Sequence, residues 1–203
     1  MPVPVLSALI IIFVVWLQYE VRKATKKRNK DENFFWENEK KSNLTRRTDI
    51  SHLDYISVLI DRLPMADQKD QTINSYRDTI FKLTNKKILN LTGFTNTDLK
   101  FKYGVANIAF LSECDNNYTV LVSMMHKWAE RLYTQGFTMD AISVLELAIY
   151  YNTDVTGSYK LLADIYKKQN NPEKIDDLIK IIPKTKMLDK DKLIEELSAI
   201  KIS

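Results

Sequence analysis

Two stretches of the chain, WAERLYTQGFTMDAISVLELAI (128–149) and LADIYKKQNNPEKIDDLIKIIP (162–183), carry the same residue pattern 34 positions apart. At this offset large apolar, small and turn-forming residues fall on residues of similar character. The main aligned pairs are Trp128 with Leu162, Ala129 with Ala163, Leu132 with Tyr166, Gly136 with Asn170, Ala141 with Ile175, Leu145 with Ile179 and Ala148 with Ile182. A repeat with a turn residue at its middle predicts two stacked helix–turn–helix units.

This period resembles the tetratricopeptide repeat over about residues 122–189. In that family a large apolar residue and then a small one open the first helix, and Gly or Asn marks the turn. The chain departs from the family at Ile175 and Ile182, where Ala is usual, and at Thr153, where a closing Pro is usual. The resemblance implies a helical solenoid that binds extended or helical peptides on the face lined by its first helices.

The resemblance also assigns residues to that face, which we call the predicted binding face. They are Ser123, His126, Glu130 and Tyr133 in one unit and Lys160, Asp164, Lys167 and Lys168 in the next. Spacing alone places the second set on one side of a helix. Its three lysines favour a peptide with acidic side chains or a terminal carboxylate, and an ordinary solvated face is the alternative.

Apolar spacing predicts further helices on both sides of the repeats. Before them we expect a helical stripe that Pro64 ends, a helix over 71–88 and a helix over 98–112. The expected inward residues are Leu53, Ile56, Ile60 and Leu63 in the first and Ile73, Tyr76, Ile80, Phe81 and Leu83 in the second. A last helix over about 189–201 turns Leu193, Ile194, Leu197 and Ile200 inward and caps the stack. The helices before residue 120 are either degenerate repeats or a distinct helical cap.

The stretch PVPVLSALIIIFVVWLQY (2–19) contains no charged side chain and predicts a membrane anchor over residues 1–21. As a helix it would cover about 27 Å, close to the roughly 30 Å thickness of the hydrocarbon core. The expected membrane-facing residues are Val3, Val5, Leu6, Leu9, Ile10, Ile11, Ile12, Phe13, Val14, Val15, Trp16 and Leu17. A buried core helix and a cleaved signal peptide are alternatives, but no basic residue precedes the run and no small-x-small site follows it.

Basic residues cluster directly after this run. Residues 22–30 hold Arg22, Lys23, Lys26, Lys27, Arg28 and Lys30, whereas residues 31–203 hold 24 basic and 25 acidic side chains. The net charge of +4 therefore belongs to a short flank and argues against a nucleic-acid-binding face. By the positive-inside rule we expect the N-terminus outside and the C-terminal domain in the cytoplasm. The flank could also contact anionic headgroups in the bilayer.

Residues 22–50 form a charged segment that predicts a linker or a helix between membrane and domain. Its only large apolar cluster is Phe34-Phe35-Trp36. These aromatics could dock on the helical domain, lie at the bilayer interface or belong to a partner site. The pair Arg46-Arg47 could contact acidic groups or phosphate.

The sequence offers few residues for catalysis or cofactor binding. One Cys, two separated His and four Gly provide no thiolate or imidazole cluster and no glycine-rich phosphate loop. No hydrolase, zincin or nucleotide-binding motif occurs, and no Ser, Cys or carboxylate lies at a motif-like spacing from His126. We expect a protein without enzymatic activity, metal or cofactor.

Together these features predict an all-α chain with an anchor (1–21), a juxtamembrane segment (22–50), a helical region (51–120) and repeats with a capping helix (121–203). The leading hypothesis is an adaptor that binds protein or peptide partners at the cytoplasmic face of a membrane. A structural subunit of a membrane complex is the alternative, and a lipid-surface sensor is a weaker one.

Overall fold

The computed structural model describes residues 3–202, and it describes side chains from Ile10 onward. Within this range the chain is all-helical, as predicted, with no strand. The α-helices are α1 (Val3–Asn43), α2 (Gln71–Leu83), α3 (Asn96–Tyr103), α4 (Ile108–Thr134), α5 (Thr138–Tyr150), α6 (Thr156–Lys168), α7 (Pro172–Ile181) and α8 (Lys190–Ile202). Short 3₁₀ helices cover Ile60–Arg62, Val105–Asn107 and Ile182–Lys184.

The chain divides into two compact units. The first unit contains α1 and α3, with the residues up to Thr48 and Asn96–Asn107. The second unit contains Asp49–Thr95 and the helices from Ile108 onward.

In the second unit, helix boundaries follow the 34-residue period. Helix α5 begins at Thr138 and α7 begins 34 positions later, at Pro172. Helix α6 begins at Thr156 and α8 again 34 positions later, at Lys190. The final helix therefore occupies the position of the first helix in a third repeat, which matches its predicted place at the end of the stack.

The turns inside the two helix pairs also repeat. Gly136 and Asn170 both have positive φ, +85° and +56°. The amide that follows each of them reaches back five residues, from Phe137 to the Leu132 carbonyl and from Asn171 to the Tyr166 carbonyl, at 2.9 Å in both cases. This 6→1 hydrogen bond with a left-handed residue is the Schellman ending of a helix, which Gly and Asn adopt with little strain.

The core of the second unit forms from positions related by the same offset. Trp128, Ala129 and Leu132 on α4 are buried, and so are their counterparts on α6. Leu197 on α8 lies 34 positions after Ala163 and Leu193 lies 34 positions after Tyr159; both are buried as predicted, while Ile194 and Ile200 are partly buried. The small Ala129 and Ala163 lie among these large buried side chains.

The predicted helical stripe before Pro64 is wrong. Residues 54–63 form no α-helix, and only Ile60–Arg62 makes a 3₁₀ turn. The backbone instead bonds to distant partners, since the Ile56 amide donates to the Ile88 carbonyl at 2.9 Å and the Leu59 amide to the Tyr151 hydroxyl at 2.8 Å. Apolar residues at three- and four-residue spacing therefore pack on the core from an irregular chain.

The helix predicted over 71–88 is shorter than expected, because α2 ends at Leu83. Ile73, Ile80 and Leu83 are buried as predicted and Tyr76 is partly buried, but Phe81 is exposed and its assignment to the core was wrong. The helix predicted over 98–112 is interrupted at Gly104, which has a φ of +82°. Its two parts, α3 and the start of α4, fall in different units.

In the first unit, α1 runs without interruption through the boundary predicted between anchor and charged segment. None of the helices contains, within the described residues, an apolar stretch that would reach across a bilayer. The side chains of the predicted anchor residues Val3, Val5, Leu6 and Leu9 lie outside the described part, and those from Ile10 to Leu17 are exposed. The anchor and its orientation stay predictions.

The aromatic cluster Phe34-Phe35-Trp36 lies on the exposed surface of α1. The three side chains are 66%, 52% and 54% exposed, and the rings of Phe35 and Trp36 meet edge to face at 5.4 Å. The three side chains are not buried within the first unit, and the three predicted placements stay predictions. Three adjacent exposed aromatics are unusual for a surface that contacts only water.

Candidate functional site

The structure brings the two halves of the predicted binding face together on neighbouring helices of the second unit. Ser123, His126, Glu130 and Tyr133 lie on α4, and Lys160, Asp164, Lys167 and Lys168 lie on α6. The Nζ of Lys168 donates to the Tyr133 hydroxyl at 2.8 Å and lies 5.2 Å from the centre of its ring. Glu130, Asp164, Lys167 and Lys168 are exposed, and Ser123, His126, Tyr133 and Lys160 are half-buried.

Lys160 and Lys168 on this face have partners within the chain. Lys160 pairs with Glu196 of α8 at 2.8 Å, and Lys168 is held by Tyr133. The hydrogen bond that Lys168 donates to the Tyr133 hydroxyl raises the pKa of Lys168 and favours its charged form. An acidic ligand would have to compete with these contacts, which weakens the prediction that the lysines together attract acidic peptides.

His126 lies in the tight contact between α4 and α6. A Cβ atom added to Gly157 would lie 2.8 Å from Cε1 of His126, so a larger residue there would require the ring to shift. Burial lowers the pKa of His126, although the nearby Glu130 opposes this shift. Sequence spacing gave no nucleophile, but the fold places Ser158 Oγ 3.3 Å from Nδ1.

This Ser158–His126 pair has no route to a substrate. Ser158 is completely buried, so its hydroxyl cannot meet a reacting group from solvent. A nucleophile–base pair also requires a third group to orient the base. Glu130 contributes only a through-space charge to His126 in the described contacts. The pair is therefore best understood as part of the packing between the two helices.

A groove that the sequence did not reveal opens between α5 and α7. We call it the α5–α7 groove, and it has a volume of about 450 Å³. Its lining is mainly apolar and comprises Glu146, Ile149, Tyr150, Asn152, Tyr166, Lys174, Asp177, Leu178 and Ile181. Apolar concave sites of this size with a few polar groups are the usual binding sites of proteins.

A fixed polar group lines the groove. The hydroxyl of Tyr166 donates to Oε1 of Glu146 at 2.6 Å, and Lys174 donates to the same oxygen at 3.1 Å. Burial and the adjacent carboxylate raise the pKa of Tyr166, so the phenol stays protonated and keeps donating. With Oε1 held in place, Oε2 of Glu146 can accept a hydrogen bond from a ligand.

The mouth of the groove is formed by Tyr150, which is 63% exposed. Its ring lies 5.7 Å from the guanidinium carbon of Arg62 and meets Tyr151 edge to face at 5.6 Å. A second cavity of about 300 Å³ shares Tyr150 and Glu146 with the groove. Together the two cavities offer room for more than one side chain of a ligand, and the Glu146 carboxylate lines both of them.

One feature of the sequence could have predicted the groove. Glu146, Ile149 and Tyr150 follow i, i+3, i+4 spacing on α5, and Lys174, Asp177, Leu178 and Ile181 follow the same spacing on α7. Each set alone resembles an ordinary amphipathic helix. Only the packing of α5 and α7 around Tyr166 shows that the two sets face one gap.

In the part of the chain that the structure describes, no group of three or more His, Cys, Asp or Glu side chains could hold a metal ion. Cys114 is a buried free thiol, and burial raises its pKa. No protein-family model, curated protein or solved structure matches this chain.

Proposed function

We propose that this chain is a membrane-anchored adaptor whose helical repeats bind a protein or peptide partner at the cytoplasmic face of a membrane. The observation that carries the proposal is the α5–α7 groove, an open, largely apolar gap of about 450 Å³ beside a row of stacked helices. Stacked helix pairs with a 34-residue period resemble tetratricopeptide repeats, and such repeats commonly serve as binding surfaces for other chains.

The chemistry of the groove favours a peptide over a small polar ligand. Ile149, Leu178 and Ile181 would exclude water from an inserted apolar side chain. Glu146, held by Tyr166, would accept a hydrogen bond from a backbone amide or a basic side chain beside it. A groove of this kind accommodates one or two large side chains of an extended or helical segment.

The anchor is supported by the sequence. Residues 2–19 are uncharged, and six basic residues follow within 22–30. This asymmetry favours a helix that ends at the cytoplasmic surface. Anchoring would raise the local concentration of a bound partner near other membrane components, which requires no catalysis and no cofactor.

A structural subunit of a membrane complex is the second candidate. It is favoured by Phe34-Phe35-Trp36, because an exposed aromatic cluster on a charged helix suits burial against another protein. A lipid-sensing role for the same cluster is less well supported. Along a continuous helix Phe34 lies about 22 Å beyond Tyr19, whereas the headgroup region extends only about 5–8 Å beyond the hydrocarbon core.

Crosslinking and mass spectrometry of the full-length protein in membranes tests these alternatives. The adaptor proposal predicts crosslinks to substoichiometric soluble proteins from the α5–α7 groove. Stoichiometric membrane partners crosslinked through α1 would instead support the structural subunit. Crosslinks to lipid alone would contradict both.

A further inference from the structure

The segment with Arg46 and Arg47 is held against the turn that follows α3 in the first unit. Gly104 has a φ of +82°, and a Cβ atom there would lie 2.4 Å from the Arg46 carbonyl oxygen. The Thr48 amide donates to the Tyr103 carbonyl at 3.1 Å. Close approach of two backbones explains why glycine is required at 104, and it fixes the path of residues 46–48.

A buried amide in the same turn orients Arg47. Asn107 is 1% exposed, and its Nδ2 donates to the carbonyls of Thr48 and Tyr103, at 2.7 Å in both cases. Its Oδ1 accepts from Nε of Arg47 at 3.2 Å. Both amide hydrogens and the amide oxygen are therefore in use, so the side chain cannot turn without leaving buried polar groups unpaired.

This arrangement leaves the outer edge of the Arg47 guanidinium available. The side chain is exposed, and only its Nε is engaged by Asn107. Among the described residues, no ion pair involves Arg46 or Arg47. The two Nη groups of a guanidinium match the two oxygens of a carboxylate, and prior orientation reduces the entropy lost on binding.

Nearby acidic groups are already occupied. Glu37 pairs with Lys41 at 2.8 Å, and Glu39 pairs with Lys100 and accepts from Thr97. Asp49, two residues after Arg47, accepts from the amide and the hydroxyl of Ser51 at 3.0 and 2.7 Å. Residues 37–48 and 96–107 together hold six basic and three acidic side chains, so this part of the first unit has surplus positive charge.

We propose that Arg47, oriented by Asn107 and supported by the exposed Arg46, binds a carboxylate in an acidic segment of a partner protein. A lipid headgroup is disfavoured because Tyr19 and Asn43, the last residue of α1, are separated by about 36 Å of helix. This site lies outside the helical repeats and goes beyond the proposed groove function. Either site can fail without the other.

The test measures binding of a labelled Asp/Glu-rich peptide to the full-length protein by fluorescence anisotropy at low salt. The same peptide with Asn and Gln in place of its acids serves as the neutral control. Arg47→Gln is expected to weaken binding of the acidic peptide about tenfold. Lys40→Gln, which removes one exposed charge from the same unit, is expected to weaken it less than about twofold.

Two further variants separate the proposed site from general attraction and from misfolding. Arg47→Lys keeps the charge but loses the planar fork, so affinity should fall about fivefold. Asn107→Ala keeps both arginines but frees the guanidinium, and a smaller loss of about threefold is expected if circular dichroism shows a folded chain. Equal losses for Lys40→Gln and Arg47→Gln, unchanged affinity in Arg47→Lys, or no preference for the acidic peptide would overturn the proposal.

Discussion

Gly136 and Asn170 lie 34 positions apart and occupy the same left-handed position, one residue before the amide whose hydrogen bond ends the first helix of each pair. Their shared geometry links the sequence period to a physical requirement. A residue at this point must tolerate positive φ, and Gly and Asn do so more readily than other residues. The turn residues, with the positive φ that they must adopt, therefore define the 34-residue repeat together with the apolar pattern.

Substitution at these turns should lower the stability by a similar amount in both helix pairs. Gly136→Ala and Asn170→Ala are each expected to lower the free energy of unfolding by about 1 kcal/mol. A Cβ atom at Gly136 would have nothing within 4 Å, so the loss there reports strain alone. Asn170→Gly is the control and should stay within about 0.5 kcal/mol of the parent. Urea unfolding measures all three, and a neutral Gly136→Ala would contradict the assignment.

Trp128 gives a second stability prediction. Its ring is completely buried, and its Nε1 is the one buried side-chain polar atom without a hydrogen-bond partner among the described residues. Trp128→Ala should lower the free energy of unfolding by about 3–5 kcal/mol through cavity formation. Trp128→Phe should lose less than about 1.5 kcal/mol, because it also removes the unpaired donor. Similar losses for both variants would indicate that the N–H has a partner.

The burial of the His126 side chain predicts that the stability of the protein depends on pH. Burial lowers the pKa of His126 below its ordinary 6.5, so just below that pH the unfolded chain binds more protons than the folded protein. The free energy of unfolding should therefore fall as the pH drops through this window. His126→Gln should reduce the difference between about pH 7.5 and about pH 5.5. The exposed His52 supplies the control, and an equal reduction in His52→Gln would refute the assignment.

Gly104→Ala should be more damaging than Gly136→Ala. Both glycines have positive φ, but an added Cβ at 104 would also overlap the Arg46 carbonyl oxygen at 2.4 Å. The expected additional loss is about 1–3 kcal/mol. Hydrogen exchange at the Thr48 amide, which donates to Tyr103, provides the local measurement. Unchanged protection of that amide would show that the segment is not fixed by Gly104.

The parts of the fold that were predictable are those in which local chemistry and packing agree. Gly136, Asn170 and the buried Trp128–Leu162 pair all follow from one offset. The helix predicted from the apolar residues between Leu53 and Leu63 does not form, because apolar spacing does not determine which partners the backbone amides bond to. Tyr151, 92 residues away, supplies the partner that the Leu59 amide uses.

The candidate sites were less predictable for a related reason. The α5–α7 groove depends on Tyr166 reaching Glu146, which lies one helix earlier. The Arg47 site depends on Asn107, 60 positions away, being buried beside it. In both cases ordinary surface residues become a site only through contacts distant in sequence.

Site-specific photo-crosslinking from the groove tests the central proposal most directly. A benzoylphenylalanine residue would replace Tyr150, which lies at the mouth of the groove, in the full-length protein in native membranes. The same residue in place of Met139, 69% exposed on the same helix but outside the groove lining, is the matched control. The adaptor account predicts a discrete crosslinked partner from position 150 that position 139 does not capture. The same products from both positions, or none from 150, would contradict it.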